Sequence, residues 1–369
     1  RRGGHGCGAV AAADAYGLRG GRRRAHPAHQ GAHGALGQRR EPPLLLQGRQ
    51  RARLRGRRRR GWQRGAAAEG RLGGHRINVV SGCFGAEAGS FATCSMDGTV
   101  RLWRAPADAA AGGEAEADVV NTPEEAWVGK GHEWSINDVA GASLGDRAVV
   151  ISAGEDATLR CWDAATGESV WVTTGAFDLA LRSVEVRGDR IFVLGNMNGS
   201  REDGEGPSVA NVAVFDLATG QLDGERYARC HKTTASDLDV TPDGSLVVAA
   251  ARGDSANLFL FDPELRCSVR ELEGHSAHTM GVFKVAFVPG QDLVASAGAD
   301  GTVRIHSTTS GDSFQVIVNA LNGKRVTALC ATTLPAAEDE DEAAGKACII
   351  YGGNDFDERE IAVRFWVQQ

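Results

Sequence analysis

Asp97-Gly98-Thr99-Val100-Arg101-Leu102-Trp103 returns twice along the chain, as Asp156-Ala157-Thr158-Leu159-Arg160-Cys161-Trp162 and as Asp300-Gly301-Thr302-Val303-Arg304-Ile305-His306. In each copy the Asp stands six positions before a large ring, and a hydroxyl stands four positions before the Asp: Thr93, Ser152 and Ser296. A histidine lies further upstream, His75 and His132 in the first two copies and His275 or His278 in the third. A unit of this size repeated along a chain fixes the fold before any other feature is weighed.

Asp-Gly between two short runs of alternating hydrophobicity is a hairpin signal, because both residues tolerate positive φ. The flanking runs, such as Ser90-Phe91-Ala92-Thr93 and Ala148-Val149-Val150-Ile151, are short and rich in strand-forming residues. His, Ser/Thr, Asp and Trp at these spacings can meet inside one small sheet. The indole and imidazole N–H groups need acceptors, and the hydroxyl and carboxylate supply them. A buried polar set of this kind is stable only when every member is satisfied.

The Gly-His opening, the Asp-Gly turn and the closing Trp or Trp-Asp resemble the WD-repeat family. The resemblance implies an all-β fold, a β-propeller of about seven four-stranded blades, with the His–Ser/Thr–Asp–Trp set acting as a structural tetrad. Carried over residue by residue, it gives one tetrad of His75, Thr93, Asp97 and Trp103 and a second of His132, Ser152, Asp156 and Trp162. A third consists of His278, Ser296 and Asp300, with His306 in the Trp position. His278 fits better than His275 because its distance to Ser296 equals that from His75 to Thr93. In the family, residues after Gly-His and the residue before the tetrad Asp lie on the narrower face, where partners dock. That matching puts Asn78, Met96, Ser135, Asn137, Glu155, Phe283 and Ala299 on the face, with Trp134 beside them.

Six blades are legible by their ring anchors, Trp103, Trp162, Phe215, Phe261, His306 and Trp366. Trp62, 41 positions before Trp103, marks a degraded first blade. Two further loops stand out, Ala105 to Glu125 and Gly195 to Pro207, and a third at Glu338 to Glu342 is acidic. Only three residues follow Trp366, so closing the ring needs a strand from near the N-terminus, for which Ala9-Val10-Ala11-Ala12 is the candidate. The expected division is an Arg-rich low-complexity segment over 1–60 and a propeller over 61–369.

The net charge of −6 hides an asymmetry. Residues 1–75 carry about 18 Arg, no Lys and about three acids, so the remainder is strongly acidic. The Arg/Gly/Ala-rich N-terminal segment reads as an RNA-binding arm, as a nuclear-localisation run at Arg57-Arg58-Arg59-Arg60, as a solvated tail, or as out-of-frame translation of a GC-rich gene. Eight scattered cysteines without a Cys-x-x-Cys pair point to reduced thiols and a cytoplasmic or nuclear protein. Neither a long apolar run nor a signal-peptide pattern is present, so no membrane association is expected.

The sequence contains no phosphate loop, no His-Glu-x-x-His and no Gly-x-Ser-x-Gly elbow. The histidines and acids of the repeats are already engaged by the tetrad, so no catalytic residue, metal, cofactor or small-molecule substrate is expected. The resulting expectation is a non-enzymatic scaffold that binds protein or peptide partners, basic ones favoured by its acidic body. An RNA-associated subunit using the Arg-rich arm is the alternative.

Overall fold

The computed structural model describes residues 73–105, 123–199, 206–224, 234–252, 258–272, 281–317, 325–333, 346–354 and 361–367. The chain divides into two units, Arg1–Gly61 and Trp62–Gln369, and every described residue belongs to the second. Trp62, the Arg-rich segment, Ala9 to Ala12, the acidic run at Glu338 to Glu342, His275 and His278 lie outside the described residues.

The described residues build six antiparallel sheets in chain order, the blades of a β-propeller. Sheet 1 comprises β1 (Val79–Phe84), β2 (Ser90–Ser95), β3 (Thr99–Arg104) and β4 (Glu124–Lys130). Sheet 2 follows with β5 (Ile136–Leu144), β6 (Arg147–Gly154), β7 (Leu159–Asp163) and β8 (Ser169–Thr173). Sheet 3 has three strands, β9 (Leu181–Arg187), β10 (Arg190–Gly199) and β11 (Gly206–Asp216), and its outer edge carries a single bridge, Phe215 to Leu222. Sheets 4 and 5 return to four strands. They contain β12 (Thr234–Val240), β13 (Val247–Arg252), β14 (Leu258–Asp262) and β15 (Cys267–Leu272), then β16 (Val282–Phe287), β17 (Leu293–Gly298), β18 (Val303–Ser307) and β19 (Ser313–Ile317). Sheet 6 closes with β20 (Ala328–Thr333), β21 (Ala347–Asn354) and β22 (Ile361–Val367).

The second strands of sheets 2 to 5 are apolar on both faces, so each helps to build two cores, whereas β2 and β21 of the first and last sheets each enter one. Val149, Ile151 and Ala153 of β6 enter the core shared with sheet 3, while Val150 between them enters the core shared with sheet 1. In β13, Val247 and Ala249 face sheet 3, and Val248 and Ala250 face sheet 5. Period-2 alternation thus divides each of these four strands between its two neighbours. Five such cores join the six sheets in sequence. Each fully buried Val or Ile contributes about 1.5–3 kcal/mol.

Two sequence-based boundaries need correction. The segment expected as a loop from Gly195 to Pro207 is ladder at both described ends, 195–199 and 206–207, with Gly195 paired to Asn211, Asn196 to Ala210 and Met197 to Val209. Asn196 fits because its side-chain oxygen accepts the Ala235 N–H of the next sheet at 2.9 Å, which gives a polar residue a partner inside the fold. The loop expected from Ala105 to Glu125 ends earlier, because Glu124 and Glu125 already pair with Arg104 and Trp103.

The first strand of every sheet lines a common central cavity of about 1170 Å³. The alternation that sends Val139, Val184, Leu238 and Val285 into the cores directs Asp138, Ser183, Asp237 and Lys284 toward this cavity.

Candidate partner-docking site

Three turns between the second and third strands form one end of the fold, and their polar bonds fix it. In sheet 1 the donor order follows from the network. The Trp103 indole N–H donates to Thr93 Oγ1 at 2.9 Å, and the Thr93 hydroxyl faces His75 Nε2 at 2.9 Å. His75 Nδ1 then meets Asp97 at 3.2 Å. Sheet 2 repeats the chain, with Trp162 to Ser152 at 2.9 Å, Ser152 to His132 at 2.8 Å and His132 to Asp156 at 3.0 Å. In sheet 5, His306 Nε2 takes the place of the indole at 2.8 Å from Ser296 Oγ.

Sequence reasoning missed a fifth member. Thr99, Thr158 and Thr302, each two positions after the Asp, bond its carboxylate through both backbone N–H and hydroxyl. The repeated Thr after Asp-Gly or Asp-Ala was the available signal.

These bonds set the ionisation of the turn acids. Burial works to raise the Asp97 carboxyl, but Thr99, the Arg76 N–H and His75 outweigh it and hold the acid well below its usual range. Asp156 is depressed in the same way, burial being outweighed by His132 and the Glu133 N–H. Burial lowers the His132 pKa against the pull of Asp156. Both ring nitrogens of His75 and His132 are engaged, which leaves them poorly placed for proton transfer to a ligand.

Gly98 brings the first turn against sheet 2. Its φ is 74°, and a Cβ there would stand 3.1 Å from the Trp134 carbonyl oxygen. The second copy holds Ala157 at the same conformation, with φ 59°.

The structure brings together most of the residues expected on this face. The Met96 N–H donates to the Asn78 carbonyl at 3.0 Å, and the Glu155 N–H to the Ser135 carbonyl at 2.8 Å. Ser135 Oγ reaches the Met96 carbonyl at 3.5 Å, which links the two turns. Trp134 is 65 % exposed and Met96 47 %. Ala299 bonds Gly281 rather than Phe283, and the Phe283 ring lies 5.2 Å from the Arg252 guanidinium. Asn137 is turned inward, donating its amide to the Leu181 carbonyl at 2.7 Å.

Beside Trp134 a second cavity of about 520 Å³ opens between sheets 2 and 3. Glu133, Glu155, Asp156, Asp178 and Arg182 line it with Trp134, Ala157, Leu179, Ala180 and Asn196. Arg182 is bonded to Glu155 at 3.0 Å.

The central cavity holds a separate charged network that sequence reasoning also missed. Asp138 accepts the Ser183 hydroxyl at 2.9 Å and the Val184 N–H at 3.0 Å. Asp237 accepts Lys284 Nζ at 2.7 Å and the Val285 N–H at 2.9 Å. Asp239 accepts Arg187 at 3.1 Å and the Phe287 N–H at 2.7 Å. Burial pushes Asp237 up to about 6, against the pull of Lys284, and Glu185 up to about 7, against Arg187. Asp138, Asp237 and Asp239 each tie one sheet to another, whereas Glu185 meets Arg187 on its own strand.

Antiparallel blades about a common cavity, with polar-pinned corners and an exposed indole and methionine at one end, define a repeat scaffold. Three segments, residues 68–104, 124–163 and 266–307, match the family described as WD domain, G-beta repeat, so the chain carries repeats of this type there. The segments end on the third strands of sheets 1, 2 and 5, the three that carry the Asp-initiated turn, and the second and third begin with the outer strand of the preceding sheet, β4 and β15.

The chain is 26 % identical to the WD repeat-containing protein 1 of Xenopus tropicalis over 174 residues, 46 % of this chain and 26 % of that protein. It is 24 % identical to the nuclear distribution protein nudF of Aspergillus niger over 277 residues, covering 70 % of this chain and 56 % of the relative. The corresponding protein of Emericella nidulans is 25 % identical over 231 residues, 59 % of this chain and 49 % of its own. The chain thus spans about half or less of the length of these curated relatives.

Proposed function

We propose that this chain is a non-catalytic protein-interaction scaffold whose docking face is centred on Trp134 and Met96. WD-repeat chains generally serve as protein-interaction scaffolds. The observation that carries the assignment of the face is the exposure of Trp134 and Met96 on turns fixed by two complete tetrads. A large aromatic presented on a rigid turn loses little conformational entropy on binding and suits an anchor position. Ser135 and Glu155 flank these anchors with polar groups suited to the rim of an interface. Partners are peptides or protein domains, and the acidic body favours basic ones through encounter rate. The described free cysteines, including the buried Cys94 and Cys161, fit a reducing compartment, the cytoplasm or nucleus.

Selection of a random peptide library on the whole chain tests this reading. Binders are expected to lose at least about tenfold in affinity on Trp134→Ala, the scale of an aromatic anchor. Selected peptides that bind Trp134→Ala and Met96→Ala as tightly as wild type would remove the face from consideration.

A further inference from the structure

We infer that the cavity between sheets 2 and 3 receives a single lysine or arginine side chain from a docked partner. This deepens the docking reading above and rests on it. The cavity is about 520 Å³, too small for a folded element and roomy for one long side chain. Four carboxylates line it against one guanidinium, and that guanidinium, Arg182, is already held by Glu155. Asp156 behind them is fully engaged by His132, the Glu133 N–H and Thr158, so Glu133 and Asp178 are the carboxylates left to meet an incoming cation.

Other occupants fit less well. An anion meets like charge, and an apolar side chain would desolvate carboxylates without giving them a partner. Among the described residues no group of three His, Cys, Asp or Glu is placed to hold a metal ion. A long cationic side chain satisfies both kinds of wall. Its hydrocarbon stem packs on Leu179 and the Trp134 indole, and its head meets Glu133 and Asp178. The exposed indole adds attraction for a cation over its face.

The test uses the full chain labelled with 5-fluorotryptophan, with the Trp134 fluorine signal assigned by Trp134→Phe. Nα-acetyl-arginine amide and Nα-acetyl-lysine amide are titrated, with Nα-acetyl-glutamine amide as the neutral probe. A saturable shift of the Trp134 signal is expected with the cations and not with the glutamine derivative. Glu133→Gln/Asp178→Asn should weaken it by about tenfold, as expected for losing two charge partners at a partly exposed site. The remaining tryptophan signals report that this variant is folded. No saturable shift with either cation, an equal response to the glutamine probe, or full affinity in the double variant would overturn the inference. Library peptides that need Trp134 but tolerate Glu133→Gln/Asp178→Asn would sink the pocket and leave the docking face standing.

Discussion

Lys284→Met removes an ammonium 2.7 Å from Asp237 and keeps a side chain of similar length. At an effective dielectric of about 20 the lost attraction is about 6 kcal/mol gross. The Lys284 side chain is 38 % exposed, so screening and the desolvation it no longer suffers cancel about half, which leaves a net loss of about 3 kcal/mol. Asp237 stays fixed by the Val285 N–H, with Ser183 at 3.3 Å and the Asp138 carboxylate as its remaining neighbours.

The loss carries a pH signature. Burial already pushes the Asp237 carboxyl up to about 6, and removing Lys284 raises it further while the unfolded value stays near about 3.9. Folding of the variant then takes up a proton at pH values where folding of the wild type does not. The stability deficit is therefore widest at about pH 8.5 and narrows as the pH falls toward 6, by at most about 1.4 kcal/mol per unit. Urea denaturation followed by tryptophan fluorescence measures both quantities, and Lys284→Arg is expected to retain most of the stability. Equal midpoints at pH 8.5, or a deficit that widens toward acid, would refute the reasoning.

Two further outcomes follow from the turns. Ala157→Gly should raise stability by about 0.5–1 kcal/mol, because Ala at φ 59° pays a left-handed penalty that exceeds the extra chain entropy of Gly; an unchanged or lower urea midpoint would count against this. Ser152→Ala strands the Trp162 N–H and His132 Nε2 together and should cost about 2–3 kcal/mol, whereas Ser152→Thr, the residue type of the first copy, should recover most of it; thermal unfolding of the pair reads the difference.

The strands of sheets 1, 2 and 5 were legible because a polar residue in a fixed place cannot be satisfied anywhere else. Asp97, Asp156 and Asp300 each announce a turn, and the ring six positions on announces the strand that follows. Sheets 3 and 4 were read from the ring anchors Phe215 and Phe261, which stand one residue before the ends of strands β11 and β14. They left the length of β10 unread, since Gly195 and Asn196 carry turn chemistry until Ala235 on the next sheet supplies a partner. Asp138, Asp237 and Lys284 were invisible for a related reason. Within one repeat they resemble solvent-facing strand residues, and their partners belong to a different repeat. The same blindness affected Asn137, whose neighbour Leu181 lies 44 positions away.

Donors and acceptors at the rim also reach across the seams. The Trp127 and Trp171 indoles donate to the Ala164 and Leu217 carbonyls of the following sheet, at 2.9 and 3.1 Å. A segment excised from the middle of this protein would carry away half of each such pair, leaving orphaned groups on two cut surfaces at once. Repetition in the primary structure therefore does not make the blades interchangeable. Grafting sheet 2 elsewhere would require its successor's carbonyls to travel with it.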